Sequence, residues 1–131
     1  MYGWVLPGRP EKAAALARKD ASLSHRGCAV ECSAFLAALA ASIPVCKTRI
    51  SAIENSLELI DKDSDAYQAV AIGISNSGKS SEEIIEKYKD LSPVHSLNNL
   101  AVVVWSFLSF QDSFDEAVGE AVSAGLSLIH I

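Results

Sequence analysis

An all-α, orthogonal multi-helix bundle is the fold class this sequence predicts, and three observations predict it. Apolar residues recur at spacings of three and four. Cap-type residues and Gly or Pro breakers punctuate that pattern at short intervals. No stretch reads as a confident strand, so helix-on-helix packing is the architecture left for a chain of this kind.

The elements follow in order. Pro7-Gly8-Arg9-Pro10 is a turn, and Pro10 suits the first position of a helix to about Ala21, because proline's missing N–H is not needed there. A second helix covers about Gly27 to Ala41, with Val30, Ala34, Phe35, Ala37, Ala38 and Leu39 as a broad apolar face. Its many alanines allow neighbouring helices to approach closely. Pro44 marks the joint to a third helix carrying Ile50, Ile53, Leu57 and Ile60. The acidic segment Asp61-Lys62-Asp63-Ser64-Asp65 ends it, and Asp65 is placed to cap a helix from Ala66 to about Asn76. Ser80 with Glu83 has the form of a capping box before Ile84, Ile85 and Tyr88. Ser92-Pro93 opens the most hydrophobic helix, about Val94 to Ser109. Ser113 with Glu116 repeats the capping-box pattern before Ala117, Val118, Ala121 and Val122, and Gly125 is placed to end that last helix.

Composition narrows the function classes. The chain has 131 residues, 50% hydrophobic and 21% charged, which is an ordinary globular balance that argues against disorder. A net charge of −5 with scattered basic residues argues against a general nucleic-acid binder, which would present a basic face. The longest apolar run, Leu100 to Leu108, is far too short to cross a bilayer. Pro7, Gly8 and Pro10 interrupt any N-terminal signal sequence. The expectation is a cytoplasmic protein with no nucleic-acid and no membrane partner. Cys28, Cys32 and Cys46 are an odd number, which favours thiols in a reducing compartment over a disulfide framework.

Three motif-like patterns are weaker than they look. His25, Cys28 and Cys32 share one helical face, but no second Cys/His pair follows to complete a zinc site. Gly73-Ile-Ser-Asn-Ser-Gly78-Lys79-Ser80 satisfies the phosphate-binding loop pattern, and Ala69 to Ile72 could be its leading strand. Against it, no βαβ alternation follows, no later strand ends in the required Asp, and Gly73 and Gly78 read equally well as helix breakers. Asp61, Asp63 and Asp65 begin like a calcium loop, but Ala66 and Ile72 occupy its Gly and Glu positions. A solvated acidic joint is the better reading.

Two segments carry a resemblance. The first is Tyr2-Gly-Trp-Val-Leu-Pro-Gly-Arg-Pro-Glu-Lys-Ala-Ala through Asp20-Ala-Ser-Leu-Ser-His25-Arg-Gly27. The second is Pro93-Val-His95-Ser-Leu-Asn98-Asn99-Leu-Ala-Val-Val-Val-Trp105, followed by Phe114-Asp-Glu-Ala-Val and Ala121-Val-Ser-Ala-Gly125. Both resemble stretches of the ADP-ribosylglycohydrolases, and with the Ile43-Pro44 joint between them the resemblance runs nearly to Gly125.

It implies an all-α hydrolase that cleaves the glycosidic bond between ADP-ribose and a protein side chain or related acceptor. The partners implied are an ADP-ribosylated protein or a small ADP-ribose conjugate. The family uses two divalent ions, usually Mg²⁺, which can polarise the ribose and position an attacking water. Carried over by position, Ser24, His25 and Gly27 correspond to residues lining the ADP-ribose pocket. Asn98 and Asn99, polar residues opening an otherwise apolar helix, correspond to a second part of it. His25 can stack on adenine or donate an N–H to phosphate or ribose. The bland alternatives are that His25 caps a helix and that the Asn pair bonds to backbone. Cys28-Ala29-Val30-Glu31-Cys32 departs from the family's Asn-Gly-Val-Tyr-Gly, and losing two glycines there narrows backbone approach to a ligand.

The resemblance also implies what is not present. The family's Ser/Thr-Asp-Asp group belongs upstream of Met1, and its Asp-x-Asp group belongs directly after Gly125, where Leu126-Ser-Leu-Ile-His-Ile131 stands instead. No catalytic and no metal-ligating residue is therefore assigned. The expected organisation is a partial helical domain over residues 1–125, truncated at both ends, with a non-native tail over residues 126–131. That tail matches a translated transposon-end adapter sequence, and Met1 would be an internal methionine. The Mg²⁺ pair is expected in the complete family member and not on this chain, leaving it inactive alone. Truncation is further expected to expose apolar faces around Phe35, Leu97, Val104 and Phe107. The alternative from another class is a non-catalytic helical binding or structural module of the same fold. A phosphate-loop nucleotide binder at Gly73 to Ser80 is the third reading.

Overall fold

The computed structural model describes residues 1–92 and 95–125, and every regular element among them is an α-helix. They are α1 (Tyr2–Val5), α2 (Pro10–Ala21), α3 (Cys28–Ser42), α4 (Arg49–Leu57), α5 (Asp65–Ser75), α6 (Ser81–Lys87), α7 (Ser96–Ser109) and α8 (Phe114–Ser123). The chain divides into two compact units, Met1–Tyr67 and the residues from Gln68 onward, with the division falling inside α5. The reading of residues 126–131 as a non-native tail, and of Pro93-Val94 as part of a helix, lies outside the described residues.

In the first unit α2 and α3 pack through alanines. Ala13 and Ala17 of α2 cluster with Ala37 and Ala41 of α3, joined by the partly buried Tyr2 and Leu6. Ala14 clusters with Ala34 and Ala38, joined by Leu59. Side chains this short let two backbones come close, so dispersion contacts accumulate without long side chains losing rotamer freedom. The same closeness explains α1, a short helix the turn residues at Pro7-Gly8 had not suggested. A Cβ on Gly3 would stand 2.5 Å from the Ala37 carbonyl oxygen and 2.5 Å from the Ala40 Cβ, so only glycine seats α1 against α3.

Polar contacts fix the helix ends of this unit. Arg18, in the last turn of α2, donates from Nε and Nη2 to the two carboxylate oxygens of Glu31 on α3, at 2.9 and 2.8 Å. Its Nη2 also donates to the Leu59 carbonyl beyond α4. The hydrogen bond to Glu31 is the main reason the Arg18 pKa lies above its ordinary value; partial burial opposes that shift and charge attraction adds to it. Thr48 and Ser51 form a reciprocal capping box that starts α4. The spacing of Ile50, Ile53, Leu57 and Ile60 located that helix, but Ile50 in its first turn is exposed while Ile53 is fully buried. Between α3 and α4, Asn55 donates to the Ser42 hydroxyl at 3.2 Å, while within α4 the buried Ser56 hydroxyl donates to the Ala52 carbonyl at 2.7 Å.

The second unit is organised around α7, whose Leu100, Ala101, Val102, Val104, Trp105 and Leu108 are all buried. Trp105 packs edge-on against Phe110, with centroids 5.6 Å apart and planes at 86°, and its indole N–H donates to the Lys79 carbonyl at 3.1 Å. One close backbone approach occurs here too. A Cβ on Gly73 would lie 2.8 Å from the Ala101 carbonyl oxygen and 2.8 Å from the Val104 Cβ. Gly73 is therefore a contact residue inside α5 and not a helix breaker. Gly78 keeps the breaker role, with φ +79° in the joint before α6.

Several cap assignments change in three dimensions. Ser64, and not Asp65, accepts the Tyr67 N–H at the start of α5, at 3.2 Å; Asp65 already sits in the first helical turn. Ser80 precedes α6 but its side chain makes no cap bond, and the Glu83 carboxylate pairs with the Lys79 ammonium at 3.1 Å. Helix α7 begins at Ser96, and His95 caps it by accepting the Leu97 N–H on Nδ1 at 3.3 Å. Ser113 does cap α8, accepting the Glu116 N–H at 3.2 Å, and Gly125 follows that helix with φ +93°. The expected exposure around Phe35 and Val104 is wrong: both are fully buried, and Leu97 and Phe107 are half-buried. No helix among the described residues is long and apolar enough to cross a membrane.

Candidate functional site

The first group of predicted ligand residues occupies the joint between α2 and α3. Helix α2 ends as the Ser22 and His25 N–H groups turn back to the Arg18 and Ala21 carbonyls, at 3.0 and 2.8 Å. This turn leaves Ser24, His25, Arg26 and Gly27 exposed. The His25 ring does not cap α3, since Gly27 holds the N-cap position and no side chain bonds there. Instead Nδ1 lies 2.8 Å from the Ser24 hydroxyl, a contact that fixes the ring and leaves Nε2 for another partner. Gly27 has φ +61° and ψ −133°, a backbone region closed to side chains, and a Cβ there would meet nothing within 4 Å. Glycine is required at this position by conformation and not by crowding, and the ground in front of α3 stays open.

The second group stands in the first turn of α7. Asn98 is 8% exposed, a burial that an amide tolerates only with polar company. The neighbouring Asn99 carries the sharper signal. Its Oδ1 is buried and has no hydrogen-bond partner among the described residues. A buried acceptor left so costs about 1–3 kcal/mol. The sequence placed Asn98 and Asn99 together; only the structure singles out the Asn99 oxygen. His95, in the same motif, is the cap that positions this turn.

The other motif-like patterns resolve into ordinary structure. Residues 69–72 lie within α5, so no strand leads into Gly73 to Ser80. The groups a phosphate would need are already engaged. The Gly78 N–H donates to the Ser109 hydroxyl at 2.9 Å, and Lys79 Nζ reaches Asn76 Oδ1 and Glu83 Oε2 at 3.4 and 3.1 Å. Asp61 and Asp63 are exposed, and Asp61 Oδ1 accepts the Asp63 N–H at 3.0 Å in a local turn. Cys32 is buried in α3, and the three cysteines form no disulfide among the described residues.

Whether these residues fit a metal can be asked of the donor set. Among the described residues no three His, Cys, Asp or Glu side chains converge as an ion would require. Hard divalent cations take six or more oxygens, about 2.0–2.6 Å away. The residues described here therefore do not fit a dinuclear Mg²⁺ centre, and no step through one is derived from them.

No curated protein and no solved structure matches the chain. The ADP-ribosylglycohydrolase profile does match, over residues 1–126. With that span, its all-helical structure and the two groups of motif residues in place, the chain belongs to the ADP-ribosylglycohydrolase family.

Proposed function

We propose that this chain serves hydrolysis of the glycosidic bond joining ADP-ribose to a protein side chain or a related small acceptor. The observation that carries the proposal is the family match over nearly the whole chain. Two local features support it. The Ser24–His25 pair presents a fixed imidazole on open ground before a helix, suited to stack on a base or donate to a phosphate or ribose oxygen. The buried Asn99 Oδ1 lacks a donor, and a ribose hydroxyl is a donor of the right kind. Each group is proposed by itself as an ADP-ribose contact: Ser24, His25 and Gly27 in the first unit, and Asn98 and Asn99 in the second.

The Mg²⁺ pair that would activate water belongs, in this reading, to acidic groups outside the described residues. The chain's own contribution is binding and orientation of ADP-ribose. A second reading, a helical module that binds without catalysing, is favoured by the lack of a converging donor set among the described residues.

Calorimetric titration with Mg²⁺ and with ADP-ribose, together with an ADP-ribose release assay on modified peptide, tests the proposal. The expected result is weak or no Mg²⁺ binding, no turnover, and ADP-ribose binding that His25→Ala weakens about fivefold, the size of one lost hydrogen bond. Placing the same substitution in a longer chain with acidic motifs on both sides should raise KM in a turnover assay. Turnover by this chain alone, abolished by His25→Ala, would overturn the placement of the metal centre. Unchanged ADP-ribose binding in the His25 variant would remove His25 from the site.

A further inference from the structure

We draw no further inference here: the strongest candidate, the exposed apolar stripe of Phe114, Val118 and Val122 along α8, carries nothing because nothing in the structure shows what covers it.

Discussion

In the first unit the α2–α3 contact is alanine against alanine, with Ala13, Ala14 and Ala17 facing Ala34, Ala37, Ala38 and Ala41. In the second, α7 fills its surroundings with Leu100, Val102, Val104, Trp105 and Leu108. The first arrangement gains by closeness of backbones and has no room for added atoms. The second gains by buried side-chain area and suffers when atoms are removed. The same chain thus uses two packing strategies with opposite sensitivities to side-chain volume. The candidate residues divide the same way: an exposed joint with a fixed imidazole belongs to the alanine-packed unit, and a buried, unpaired amide oxygen belongs to the unit built on bulk.

The largest expected effect comes from removing bulk in the second unit. Trp105→Ala should cost about 3–5 kcal/mol, the range for truncating a buried aromatic, read from denaturant unfolding and faster amide exchange in α7. Trp105→Phe keeps most of the packing and strands the Lys79 carbonyl, so it should cost only about 1 kcal/mol. If the two variants were equally unstable, the hydrogen bond and not the volume would be holding α7.

Adding bulk in the first unit comes next. Ala38→Leu should destabilise by about 1–3 kcal/mol, because the α2–α3 contact can accept it only by moving backbone apart. Amide exchange in α2 and α3 reports it directly. A neutral or stabilising outcome would show that the alanine seam has slack and would erase the contrast between the units.

Arg18 offers a test through pH. Its pKa is raised in the fold, so its contribution is fully present below the ordinary arginine pKa and is lost only as pH rises through the higher folded value. The stability difference between the wild type and Arg18→Met should therefore show no titration of Arg18 between about pH 6 and pH 10. A difference that fades over the alkaline end of that window would mean the guanidinium is not charged and paired as described.

The smallest effect is expected at Asn99. Asn99→Leu replaces an unsatisfied buried acceptor by an apolar group of similar size and should be neutral or stabilising by up to about 1 kcal/mol, while ADP-ribose affinity falls. Thermal unfolding with and without ADP-ribose separates the two. A loss of stability greater than about 1 kcal/mol would mean the oxygen already has a partner in the protein, and its place in the candidate site would go with it.

Local sequence signals determined most of the helices, because spacing, proline and caps act within a few residues. Pro10 began α2 where expected, the alanine-rich pattern gave α3, and Ser113 capped α8. The same signals placed Ser24 and His25 in a joint, Gly27 at the start of the next helix and the Asn pair at the head of α7; that they contact ADP-ribose is proposed from the family resemblance.

Tertiary structure alone decided the rest, since each point depends on atoms distant in sequence or on competition between local partners. Gly73 reads like a breaker until α7 lies against it; Glu83 reads like half of a capping box until Lys79 takes it. The unpaired oxygen of Asn99 is likewise invisible in a string of letters, because whether a polar atom is satisfied depends on every neighbour the fold brings to it.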